Sequence, residues 1–147
     1  MQVKTPIKVR YAETDMMGVV YHANYLLYFE EARTDFLAKI GHPFTEFDER
    51  GYLCPVYEVN IKYGEPLRYG QDAFVLTSVL ENRPTKTTYL QQVFRKGADP
   101  SKDRPLVSGQ ITACIVEKDS FKPISIKRHF PELYELYEGF VQPQSSE

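Results

Sequence analysis

The chain has 147 residues, 42% of them apolar and 26% charged, with a formal net charge of −2. That length suits one domain over 1–147 with a polar tail at 142–147, and the near-neutral balance excludes the broad basic field of a nucleic-acid or anionic-membrane binder. No apolar run approaches the roughly 20 residues of a spanning helix, the first residues carry no signal-peptide core, and Cys54 and Cys114 lack any metal-type or Cys-x-x-Cys spacing; the expectation is a cytoplasmic protein with two buried reduced thiols, no membrane insertion and no nucleic-acid partner.

In chain order, Val3 to Arg10 predicts a first strand, with Val9 and Tyr11 on one side of it by period-two alternation. A turn-rich segment, 12–18, leads away from that strand. From Asn24 to Ile40 the pattern becomes helical: Tyr25, Phe29, Ala32, Phe36 and Ile40 form one apolar stripe. Glu30, Glu31, Arg33, Thr34 and Lys39 fall on the other side, where Glu30 and Arg33 are spaced for a surface ion pair. Asn24 is a candidate N-cap and Gly41-His42-Pro43 a stop. A loop through Gly51 precedes strand-like runs at 57–63, 72–80, 87–94 and 106–116, broken by Arg83-Pro84 and the polar stretch 96–104. A short helix over 131–140 closes the pattern. One long helix followed by antiparallel strands is an α+β order, which a curved sheet wrapped around the helix satisfies. Val75, Thr77 and Val79 are read as outward positions of mixed polarity, which favour an oligomer.

The stretch with chemical content runs from Arg10 to Tyr25. Asp15 follows a strand, Gly18 permits a tight turn, and polar residues then open a helix whose first N–H groups are free and carry partial positive charge. Acyl hydrolysis needs both parts, a carboxylate to attack or to activate water and donors for the developing oxyanion. Taken alone, Asp15 reads more readily as an Asx-turn residue than as a catalytic one, His22 acts through its imidazole or only through its backbone, and Tyr25 is core or pocket wall.

This segment resembles the 4-hydroxybenzoyl-CoA thioesterase-like branch of hotdog-fold acyl-CoA thioesterases, and within it the short-chain enzymes associated with bacterial Tol-Pal clusters. The matching residues are Tyr11, Thr14-Asp15, Gly18 through Tyr25, Phe29-Glu30 and Ala32-Arg33. The resemblance implies a hotdog fold, edge-to-edge homodimers often paired into homotetramers, active sites at the dimer interface, an acyl-CoA substrate and no cofactor or metal. It makes Asp15 the catalytic nucleophile or general base and gives the His22 N–H the thioester carbonyl. It also points to Arg83 and Lys86, in the hairpin 82–88, as contacts for CoA phosphates, although a solvated hairpin tip explains them equally.

Two other functions are weighed. A hotdog hydratase resembles an Asp-x-Asn-Pro pattern that Asp15-Met-Met-Gly18 does not match. A non-enzymic acyl-thioester sensor or scaffold would not need Asp15 at the helix start. The acyl group is left open among short aliphatic, aromatic and dihydroxynaphthoyl, on CoA or on an acyl-carrier protein.

Overall fold

The computed structural model describes residues 1–141, and the expected polar tail at 142–147 lies outside them. In chain order the elements are β1 (Val3–Lys8), α1 (Tyr25–Lys39), α2 (Phe44–Glu49), β2 (Tyr52–Leu53), β3 (Val56–Tyr63), β4 (Asp72–Asn82), β5 (Lys86–Arg95), β6 (Val107–Cys114), β7 (Val116–Glu117), α3 (Ile126–His129) and α4 (Pro131–Phe140). Five strands form one antiparallel sheet in the order β1-β4-β5-β6-β3, while β2 and β7 pair as a separate ribbon. α1 lies on the inner face of the large sheet, which is the expected α+β hotdog arrangement. No helix among the described residues is long and apolar enough to cross a membrane.

The helical stripe does what its spacing predicts. Tyr25, Phe29, Ala32 and Phe36 are buried and Ile40 is partly so. The first half of α1 packs with Ile7, Val75, Val93 and Ile111 of the sheet, and the second half with Phe47, Tyr89, Leu133 and Tyr137. Burial of a ring such as Phe29 stabilises the fold by about 2–3 kcal/mol. Gly109 of β6 makes the closest approach possible: a Cβ there would stand 2.7 Å from the Phe29 ring.

Several expectations fail for identifiable reasons. β1 stops at Lys8, because the chain turns into a 3₁₀ turn over Tyr11–Glu13; Val9 is buried but Tyr11 is 78% exposed, so they do not share a side. Asn24 makes no side-chain cap: a 3₁₀ turn over His22–Asn24 precedes the helix, and the Asn24 amide instead donates to the Glu13 carbonyl at 2.9 Å. The stretch expected as loop before Gly51 contains α2, whose Phe47 enters the core. Val75, Thr77 and Val79 face inward, not outward, and are buried.

Arg33 is also inward. It makes no ion pair with Glu30; its guanidinium donates to Gln91 Oε1 at 3.0 Å, and the Gln91 amide donates to the Phe29 carbonyl at 2.9 Å and to Thr77 Oγ1 at 3.1 Å. Burial pulls the Arg33 pKa below its ordinary value, yet a guanidinium begins so far above neutrality that it keeps its charge. A hydrogen-bonded polar bridge therefore joins helix to sheet inside the core.

Candidate active site

The segment between β1 and α1 folds back on itself. Asp15 N–H donates to the Val19 carbonyl at 2.9 Å and Gly18 N–H to the Asp15 carbonyl at 3.0 Å, with isolated bridge pairing of Thr14 and Val20. This is a tight reversal that Gly18 permits by adopting φ +77°, where a side chain would be strained. The Asp15 carboxylate accepts the Met17 N–H through Oδ1 at 2.8 Å. Asp15 is thus an Asx-turn residue and a cleft residue at once, and its Oδ2 has no hydrogen bond among the described residues.

The cleft has a volume of about 170 Å³ and is walled by Asp15, His22, Tyr25, Tyr63, Glu65 and Val107, among others. It lies where the turn, the mouth of α1 and the ends of β3 and β6 meet. His22 opens the 3₁₀ turn that runs into α1, and its N–H, like that of Ala23, has no acceptor among the described residues. Its carbonyl accepts the Tyr63 hydroxyl at 2.9 Å, and its ring stands edge-on to Tyr63 with centroids 6.2 Å apart. Tyr25 is 2% exposed and packs edge-on to Tyr63 at 5.7 Å, with its hydroxyl accepting a long contact, 3.4 Å, from the Leu67 N–H. Both readings of Tyr25 hold, core and wall. Burial raises the pKa of Tyr25 and of Tyr63, so both stay protonated near neutrality.

Three cleft-region residues went unread in the sequence. Glu13 is 5% exposed and accepts hydrogen bonds from Arg10 and Tyr28. Burial works to raise its pKa, but those bonds outweigh it and leave the carboxyl below its usual value. Glu65, paired with Arg95 at 3.3 Å, adds a second carboxylate to the cleft wall. Tyr63 was legible only as a strand residue. Tyr63 and Glu65 are defined by partners distant in sequence, and Glu13, although Arg10 is only three residues away, takes its place from Tyr28, Tyr21 and Asn24 as well.

Arg83 and Lys86 do not join this cleft within one chain. Arg83 pairs with Glu81 at 2.7 Å, and the Lys86 ammonium sits 3.7 Å from the centre of the Tyr57 ring. Lys86 is paired with Cys114 and the cleft borders Val107, at opposite ends of β6; that is about 23 Å at the usual rise per strand residue.

A carboxylate with an unbonded oxygen and N–H groups at a helix start without acceptors among the described residues, both in the one connection between β1 and α1, are the two parts that acyl transfer requires. The family model of the thioesterase-like superfamily matches residues 9–132, and the chain belongs to that superfamily. It is 38% identical over 135 residues to YneP of Bacillus subtilis (strain 168), covering 92% of this chain and 94% of that protein. It is 30% identical over 129 residues to the acyl-CoA thioesterase YbgC of Helicobacter pylori (strain ATCC 700392 / 26695), covering 86% and 95%. Among solved structures it is similar to the DHNA-CoA thioesterase of Staphylococcus aureus, with a TM-score of 0.85, 33% identity, and coverage of 94% of this chain and 89% of that one.

Proposed function

We propose that this thioester hydrolase acts on acyl-CoA, with Asp15 as the group that attacks the thioester carbon or activates water against it. The carrying observation is that Asp15, whose Oδ2 makes no hydrogen bond among the described residues, and His22, whose N–H has no acceptor among them, line the same cleft. A thioester seated there has its carbonyl oxygen at the helix mouth, where N–H donors and the partial positive charge stabilise the oxyanion. Where Asp15 activates water, collapse of that intermediate expels the CoA thiolate and leaves the acid; where Asp15 itself attacks, collapse expels the thiolate and leaves an acyl anhydride on Asp15, which water then hydrolyses to the acid and the free carboxylate. The aromatic walls Tyr25 and Tyr63, together with the likeness to the Staphylococcus aureus DHNA-CoA enzyme, favour a flat aromatic acyl group alongside short aliphatic ones.

The two sheet edges argue for a homodimer joined through β3. β1 carries Pro6, which lacks a donor, and its Lys4 and Lys8 are exposed, all features that resist strand addition. β3 has no proline and shows Tyr57, Val59 and Tyr63 at 62%, 41% and 48% exposure. Antiparallel pairing of β3 with β3 of a second copy places that copy's Val56 end beside this chain's Tyr63 end. The second copy's Arg83 and Lys86 then come to the end of the sheet where Asp15 lies, within reach of a CoA phosphate. Pairing of two such dimers gives the homotetramer.

The test is an acyl-CoA panel spanning short, long and aromatic groups, read by trapping the released thiol, for wild type and Asp15→Asn. Wild type is expected to release CoA, and the variant to lose about 10³-fold in kcat. Equal turnover by both proteins removes Asp15 from the mechanism. Binding without turnover favours a sensor, and hydration of crotonyl-CoA favours a hydratase.

A further inference from the structure

We infer that Glu13 is a positioning residue that fixes the Asp15 carboxylate against the oxyanion donors, a role that rests on the thioesterase reading. This one residue accepts six hydrogen bonds. Its Oε1 accepts the Arg10 N–H at 2.7 Å and the Tyr28 hydroxyl at 3.1 Å; its Oε2 accepts Arg10 Nε and Nη2 at 3.1 and 3.0 Å. Its main-chain carbonyl accepts the Tyr21 N–H and the Asn24 side-chain amide, both at 2.9 Å.

The placement of these partners matters more than their number. Arg10 is the exit from β1, Tyr28 lies in the first turn of α1, and Tyr21 and Asn24 flank His22 and Ala23, the residues with free N–H groups. Glu13 therefore holds the strand exit, the helix and both sides of the donor pair. Two residues further along the chain, past Thr14, is Asp15. Nucleophile and donors are thus referenced to a single backbone unit, and a shift at Glu13 moves one relative to the other.

The bland account is that Glu13 simply stabilises the fold. Two features speak against it as a full explanation. The Arg10 side chain is 74% exposed, so the ion pair contributes little. A buried carboxylate is also costly to desolvate, so much of what its hydrogen bonds contribute goes to offset that cost. A carboxylate at this place is what holds the Arg10 backbone and the Tyr28 hydroxyl in a defined geometry.

The experiment compares wild type, Glu13→Gln, Glu13→Ala and Tyr28→Phe on an acyl-CoA that the wild type hydrolyses, each checked for folding at the assay temperature. Misplacement by a fraction of an ångström predicts that Glu13→Ala lowers kcat about 10²-fold with KM little changed. Glu13→Gln and Tyr28→Phe, which keep part of the network, should lose less. Because the residues act as a unit, Glu13→Ala adds no further loss on top of Asp15→Asn. A folded Glu13→Ala protein with wild-type kcat, or fully additive losses in the double variant, overturns the inference. A second readout needs no turnover: amide hydrogen exchange at Tyr21, which donates to Glu13, should rise about tenfold in Glu13→Ala while Val93 in the core stays protected. If the wild type hydrolyses no acyl-CoA, the thioesterase reading fails by itself; unchanged exchange at Tyr21 sinks the positioning role separately.

Discussion

The Tyr63 hydroxyl donates to the His22 carbonyl at 2.9 Å, so the last residue of edge strand β3 is tied to the peptide that opens the helix. Tyr63→Phe keeps the ring contacts with Tyr25 and His22 and removes only this bond. A half-exposed hydrogen bond is worth about 1 kcal/mol. Steady-state kinetics should show kcat reduced about fivefold with Tm lowered by only about 2–4 °C, and a variant indistinguishable from wild type in kcat would show that the His22 peptide is held by other contacts.

Gly109→Ala places a methyl group where the Phe29 ring already stands, 2.7 Å from the built Cβ. The ring is fully buried and α1 must lift away from β6 to make room. Overpacking of this kind costs about 1–3 kcal/mol. Urea denaturation should report that loss with an unchanged m-value; a neutral substitution would mean that the helix can slide on the sheet.

Gln91→Leu removes the acceptor for the Arg33 guanidinium and leaves a buried cation without a partner. The expected loss is about 3 kcal/mol. Arg33→Met in the same chain should recover part of it, since the orphaned charge is then gone. Calorimetry of the two single variants and the double variant measures this, and strict additivity would contradict the bridge.

Stability should fall with acid through Glu13. Its folded pKa lies below the ordinary glutamate value despite burial, because Arg10 and Tyr28 hydrogen-bond to the ionised form. A depressed carboxyl contributes stability that is fully present above the unfolded pKa and is lost as pH falls through the folded one. Wild type should therefore exceed Glu13→Gln in urea melts at pH 7, with the gap narrowing below about pH 4.3. A gap that widens on acidification would show that burial dominates after all.

What the sequence disclosed follows from distance along the chain. The stripe Tyr25, Phe29, Ala32 and Phe36 repeats within one helix, so local spacing reveals its buried side. Arg33 shares that helix but takes its direction from Gln91, 58 residues away, and no local pattern announces it. Val75, Thr77 and Val79 fall on the face opposite to the one expected because β4 is buried on both sides from Ala73 to Thr77, so alternation there does not tell the inner face from the outer. Asp15, Gly18 and His22 were readable because a single connection carries all three. Glu13 was not, since its meaning lies in Tyr28, Tyr21 and Asn24. Arg83 and Lys86 remain outside the cleft of a lone chain, and their proposed part depends on a second one.

Among the described residues, β3 leaves one row of backbone N–H and C=O groups without strand partners at the margin of the sheet, and its last residue, Tyr63, steadies the helix mouth. If a second copy fills that row, output per molecule depends on abundance: specific activity drops on dilution past the dissociation constant and returns on concentration. A cell with half as many chains then has less than half the catalyst.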